Sequence, residues 1–136
     1  MSADGEARVP IKTEPDILAA RRAARALAQP LGFSDVQLIE IATAISEIAR
    51  NILVYAREGE MRVSEVREGR KRGVRIVASD RGPGIADLDA AMSDGVSTGG
   101  GLGLGLPGAR RLMDGFEIAS RVGEGTTITM VKWGTR

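Results

Sequence analysis

Between Ser34 and Tyr55 the chain carries Leu38, Ile41, Ala42, Ile45, Ala49 and Ile52 at steps of three and four residues. Such a stripe lies on one face of an α-helix and has to be buried against a second layer. Ser34-Asp35-Val36-Gln37 supplies the start, because a serine followed three residues later by glutamine is a capping box. The helix is expected to run to about Tyr55. Glu40, Ala44, Glu47 and Asn51 fall on the side away from the stripe, so one helix must satisfy an apolar floor and a polar edge at once.

The remaining elements supply the floor. Thr13-Glu14-Pro15-Asp16 is another helix start, with a capping threonine and acidic residues and proline in the first turn. Ile17, Ala20, Ala24, Leu27 and Leu31 follow at helical spacing, and Pro30 and Gly32 end that helix. Met61–Val66 and Val74–Ala78 read as strands joined by a charged, glycine-containing turn. Asp87–Met92 reads as a short helix and Pro107–Met113 as a helix with proline near its first position. Phe116–Val122 and Thr126–Trp133 read as strands around the hairpin turn Gly123-Glu124-Gly125. Residues 1–10 are either a frayed end or a short leading strand. The order implies one α+β domain over 1–136, a two-layer sandwich with helices on one face of a mixed, mostly antiparallel sheet.

Composition narrows the chemistry. With no cysteine and no histidine, the chain offers no disulfide, no thiolate or imidazole metal site, no Ser-His-Asp machinery and no phosphohistidine relay of its own. A net charge of +1 and 3% aromatic residues argue against nucleic acid as a partner. There is no apolar run long enough for a membrane span and no apolar centre of a signal peptide near the start, so a cytoplasmic location is expected. The basic run Arg67, Arg70, Lys71, Arg72 contains Glu65 and Glu68 beside it and reads as a solvated hairpin tip.

Four stretches could carry chemistry. Glu47 and Asn51 are i and i+4, neighbours on a helix surface. An asparagine carbonyl can ligate Mg²⁺, which takes few protein ligands and fills its shell with water and phosphate, while a carboxylate one turn away can orient or deprotonate a hydroxyl. Alone, that spacing is common on any solvated helix. Asp80-Arg81-Gly82-Pro83-Gly84 follows a strand; its carboxylate can accept from an exocyclic amine such as adenine's, although a plain surface turn uses the same residues. Asp94–Gly105 is a glycine-rich loop with Leu102, Leu104 and Leu106 alternating with glycine. Backbone N–H groups there, opening a helix, suit phosphate, and the leucines argue against a mere linker. Gly103, Gly105 and Gly108 satisfy the spacing G-x-G-x-x-G, but loop precedes them and position 128 is isoleucine, so a dinucleotide fingerprint is discounted. Gly123-Glu124-Gly125-Thr126-Thr127 is a turn followed by hydroxyls, weak by itself.

In this order the four stretches resemble the N, G1, G2 and G3 boxes of the gyrase/Hsp90/histidine-kinase/MutL ATPase superfamily. The likeness extends through GFSDVQLIEIATAISEIARNILVYA, DRGPGI, AMSDGVSTGGGLGLGLPGARRLMDGFEI and GEGTTITMVKW to the RsbT-type switch kinases, small bacterial serine/threonine kinases of the stressosome pathway. The resemblance implies a Bergerat-type ATP-binding fold, ATP and Mg²⁺ as cofactors, and phosphorylation of STAS-domain partner proteins. It also implies activation of a PP2C-type phosphatase once the kinase is released. By position, Asn51 matches the Mg²⁺ ligand and Glu47 the catalytic carboxylate. Asp80 matches the adenine-binding aspartate, with Gly82 and Gly84 shaping the base pocket. Gly101, Gly103 and Gly105 match the phosphate lid, and Thr126 the hydroxyl supporting the adenine contact, with Thr127 one register away as the competitor. The role of Arg50 is left open. Val96 stands where an aromatic is expected. An anti-sigma factor of the same fold and a non-catalytic nucleotide-dependent binding module are the alternatives.

Overall fold

A computed structural model describes residues 5–92 and 105–134. In order come β1 (Ala7–Ile11), α1 (Glu14–Ala28) with a 3-10 turn at Gln29–Leu31, α2 (Asp35–Asn51) continued by a π-helical turn at Ile52–Ala56, β2 (Gly59–Glu68) and β3 (Lys71–Asp80). The short α3 (Leu88–Ala91), α4 (Leu106–Leu112), β4 (Gly115–Arg121) and β5 (Gly125–Trp133) complete it. The five strands form one sheet in the order β1-β2-β3-β5-β4. The expected α+β sandwich is present, with helices on one side, and the sheet, expected to be mixed and mostly antiparallel, is antiparallel at all four pairings among the described residues.

Both long helices begin where their side chains cap them. Gln37 N–H donates to Ser34 Oγ at 3.1 Å and Ser34 N–H to Gln37 Oε1 at 3.0 Å, a reciprocal box. The same Gln37 donates through Nε2 to Trp133 O at 2.9 Å, tying the start of α2 to the end of β5. Asp16 accepts the backbone N–H groups of Lys12 and Thr13, each at 2.9 Å. Those bonds hold its carboxyl below the usual carboxylate range.

The core lies between α1, α2 and α4 and the inward face of the sheet. Ile41, Ile45, Ile48 and Ile52 of the central helix are buried on Met61, Val63, Val74, Ile76, Ile128 and Met130. Strand alternation decides which residues face them: Val74, Ile76 and Ala78 on β3, and Ile128 and Met130 on β5. The polar edge of α2 differs from expectation at one residue. Ala44 is fully buried, because α4 packs along that side of α2.

The alternation on β5 also carries Lys132 inward, where it is 7% exposed. Its Nζ donates to Leu112 O at 2.6 Å and lies 3.1 Å from Glu40 Oε1. One ammonium thus joins β5, α2 and the C-terminal carbonyl of α4. Glu40→Ala leaves that ammonium with a carbonyl alone, whereas Lys132→Met removes the charge and keeps the volume. Removing one partner of a buried pair costs more than replacing the cation by an apolar isostere. In urea unfolding, Glu40→Ala is expected to lose about 2 kcal/mol, discounted for the partial exposure of Glu40, and Lys132→Met less than that.

Candidate nucleotide site

At one end of the sheet the inward-facing side chains change from apolar to polar in a single cross-strand row. Ser120 on β4 is paired with Thr126 on β5, and Thr126 with Asp80 on β3. Asp80 continues the inward alternation of Val74, Ile76 and Ala78, so its carboxylate stands on the helix side at the strand end. Residues directly opposite in such a ladder bring their Cβ atoms to roughly 5 Å. Behind this row the next one is apolar, Ile118-Ile128-Ala78.

Above the polar row the chain leaves α2 through the π-helical turn. A π turn widens the helix locally and is often found at functional sites. Together they enclose a cavity of about 360 Å³. Its walls include Ile48, Ile52, Ala78, Ile85, Leu106 and Ile128, and its polar members include Asn51, Asp80 and Thr126. A mostly apolar slot with a few placed polar groups suits a flat heterocycle with a hydrogen-bonding edge.

The Asp80 turn is fixed from two sides. Gly82 N–H donates to Asp80 Oδ1 at 2.8 Å. Among the described residues no donor bonds the second oxygen, which stays available to a ligand donor. A Cβ on Gly82 would lie 2.6 Å from Ala56 Cβ, so the turn packs directly on the π segment. Gly84 has φ +76°, and a Cβ there would run into the carbonyl of Arg121. From the other side the β4–β5 turn grips the same loop. Gly123 N–H donates to Pro83 O at 2.8 Å and Ile85 N–H to Ser120 Oγ at 2.7 Å.

Ser120 orders the hydroxyl row. Its Oγ is 3.1 Å from Gly125 O and 2.8 Å from Thr126 Oγ1. With its single proton directed at the Gly125 carbonyl, Thr126 is the donor of the pair and presents only lone pairs elsewhere. Sequence reasoning did not single out Ser120. The available signal was strand alternation, which places 116, 118 and 120 inward and leaves a hydroxyl opposite Thr126. The choice between the two threonines follows from the same rule: Thr126 lines the cavity, and Thr127, exposed, is on the other face.

The site residues expected from sequence are therefore distributed as follows. Asn51, Asp80, Gly84 and Thr126 line one cavity, and Gly82 supports Asp80 from behind. Glu47 is exposed and is not part of the cavity wall. It stands against Gly105, the left-handed residue (φ +69°) that caps α4, where a Cβ would collide with its carboxylate. The next residue, Leu106, is a wall of the cavity, so Glu47 stands at its margin. Gly101, Gly103 and most of the lid (94–104) lie outside the described residues, as does Val96. Arg50 is directed away, 3.6 Å from Glu14 in an exposed ion pair.

The family profile described as the histidine kinase-like ATPase domain matches residues 11–132. The serine/threonine-protein kinase RsbT of Bacillus subtilis (strain 168) is 52% identical over 125 residues, covering 92% of this chain and 94% of that one. An anti-sigma F factor of Anoxybacillus flavithermus is 31% identical over 107 residues, 74% of this chain and 72% of that one. Another, from Caldanaerobacter subterraneus subsp. tengcongensis, is 29% identical over 118 residues, 84% of this chain and 82% of that one.

Ser120→Ala tests the hydroxyl row. It removes the acceptor of Ile85 N–H and the partner that orients Thr126, while Asp80 keeps its bond from Gly82. Losing such a bond costs about 1.4 kcal/mol, roughly tenfold in affinity for adenine nucleotide by calorimetry. An unchanged affinity would show that the row does not orient the ligand.

Proposed function

Because the chain belongs to the family of histidine kinase-like ATPase domains, we propose that it is an RsbT-type serine/threonine protein kinase. On this reading it uses Mg-ATP to phosphorylate a STAS-domain partner and, once released, activates a PP2C-type phosphatase in a partner-switching pathway. The whole chain acts as a single kinase domain. The observation that carries the reading is the convergence of Asn51, Asp80 and Thr126, far apart in sequence, on one cavity. The identity of 52% to a serine/threonine kinase across nearly both full lengths favours the kinase over the anti-sigma factors at 28–31%.

The donor set fits the ligand. Apolar walls suit the faces of adenine, and the free Asp80 oxygen suits its exocyclic amine, with Thr126 lone pairs beside it. No cluster of three acidic or histidine side chains occurs among the described residues. An amide oxygen at Asn51 suits Mg²⁺, whose remaining ligands come from phosphate and water. When bound, Mg-ATP supplies the transferable phosphoryl group, and the metal offsets charge gathering on the phosphate oxygens. Asp80 and Thr126 would hold the base and Asn51 the metal, and Gly101, Gly103 and Gly105 match the phosphate lid by sequence alone. Glu47 orients the acceptor hydroxyl. It takes the hydroxyl proton as the acceptor oxygen bonds the γ-phosphorus and the bond to the β,γ-bridging oxygen breaks, its electrons remaining on ADP.

The test is incubation with γ-labelled ATP, Mg²⁺ and a STAS-domain protein from the same organism, followed by mapping of the labelled residue. The unaltered chain labels a serine or threonine, and Asn51→Ala abolishes the label. Glu47→Gln keeps ATP affinity but slows transfer on the order of a hundredfold or more. Asp80→Asn weakens ATP binding, since an amide presents NH₂ where an acceptor is needed. Unchanged transfer in Glu47→Gln would contradict the role of Glu47, and parental ATP affinity in Asp80→Asn that of Asp80.

A further inference from the structure

The helical layer presents a ridge that the nucleotide cavity does not use. Along the outer side of α2, Val36, Ile39, Thr43 and Glu47 follow at steps of three, four and four, and all four are exposed. These steps keep side chains in line on a helix. Val36 is 66% and Ile39 64% exposed. α1 packs against α2, and α4 lies along the side of α2 that buries Ala44. Neither helix covers Val36 or Ile39, while the far end of the ridge, Glu47, meets the cap of α4 at Gly105.

Isolated exposed aliphatics are ordinary on any protein. On α2 two large ones are adjacent, and the line they start ends at the carboxylate assigned to the acceptor hydroxyl. Two acids flank them, Asp35 and Glu40, and Glu40 is already engaged by Lys132 at 3.1 Å. Between Ile39 and Glu47 the helix rises about 12 Å, and from Val36 about 17 Å, at 1.5 Å per residue. Glu47 is exposed beside Gly105 and is not a wall of the cavity, so an acceptor hydroxyl reaches it from the protein surface, on which the ridge also lies. A folded protein delivering a serine or threonine to Glu47 from the α2 side covers the ridge as it does so.

We propose that the Val36–Ile39 end of α2 is the docking surface for the phosphoacceptor protein, received by an apolar patch about 12–17 Å from its acceptor hydroxyl. The inference rests on the kinase reading above and deepens it: the cavity selects the nucleotide, and the ridge selects the protein. Docking and chemistry are then separable, because the two aliphatics touch neither nucleotide nor the reacting atoms. Substitutions there act on acceptor KM, while those at Glu47 act on kcat.

The experiment measures steady-state phosphorylation of a STAS-domain protein together with its affinity by calorimetry, for the unaltered chain, Val36→Lys, Ile39→Lys and Ile39→Leu. Both positions are solvent-exposed, and parental ATP affinity verifies that each variant retains its site. The expected result is an acceptor KM and Kd raised about tenfold or more in each lysine variant, the scale of losing a central interface contact. In those variants kcat and ATP affinity stay at parental values, and Ile39→Leu remains within about twofold of the parent. Parental KM and Kd in both lysine variants would overturn the docking surface while leaving the kinase intact. If the unaltered chain binds the acceptor but transfers no phosphate, the kinase reading fails and the Kd series still decides the ridge. If it neither binds nor phosphorylates the acceptor, both fail.

Discussion

Burial of α2 on the sheet is the constraint from which the rest of the structure follows. Ile45 and Ile48 are fully buried, and Ile41 and Ile52 nearly so. Each buried aliphatic contributes about 1.5–3 kcal/mol, so the rotation of this helix about its axis is held by far more than any polar contact on it. Once the rotation is set, helical geometry places Asn51 at the cavity and leaves Glu47 on the outer edge beside Gly105. Polar residues on this helix are positioned by apolar ones. A substitution that rolled α2 by a fraction of a turn would displace Asn51 and Glu47 together.

The sheet makes the complementary contribution. Its inward face is apolar until the last row, where Ser120, Thr126 and Asp80 stand side by side. A row of that kind at a sheet end is costly unless its members are satisfied. Bonds from Gly82 and Ile85 and the contact with Gly125 satisfy most of it internally. What remains for a ligand is a carboxylate oxygen and hydroxyl lone pairs, an acceptor-only edge. Such an edge suits a donor-bearing heterocycle, and the surrounding isoleucines suit its faces.

Much of this is legible in sequence because the signals are local. The capping pairs at Thr13/Asp16 and Ser34/Gln37 mark both helix starts, and the glycine and proline turns mark the strand ends. The antiparallel character of every pairing is not legible, since strand neighbours depend on contacts far apart in the chain. The burial of Ala44 escapes sequence reasoning because a small residue on a polar edge gives no sign that another helix will seat there. Lys132 escapes it for the opposite reason: its charge suggests solvent, while strand alternation carries it inward to Glu40. Ser120 lacks the glycine context that makes Asp80 conspicuous, and its importance comes from its cross-strand partners. The ridge on α2 becomes visible only once α1 and α4 are seen to leave Val36 and Ile39 uncovered.

The functional reading depends above all on Asn51, the Asp80 turn and Thr126 meeting around a single nucleotide. Titration of Mg-ATP into uniformly ¹⁵N-labelled protein, followed by amide NMR, tests it directly. The expected result is that the Asn51 side-chain amide and the backbone amides of Gly82, Gly84, Ile85 and Thr126 move together with one dissociation constant. Amides of the uncovered sheet face, such as Arg62 and Arg75, stay in place. Movement of these three segments with separate constants, or no movement at Asn51 and Asp80, would mean that they do not share a ligand.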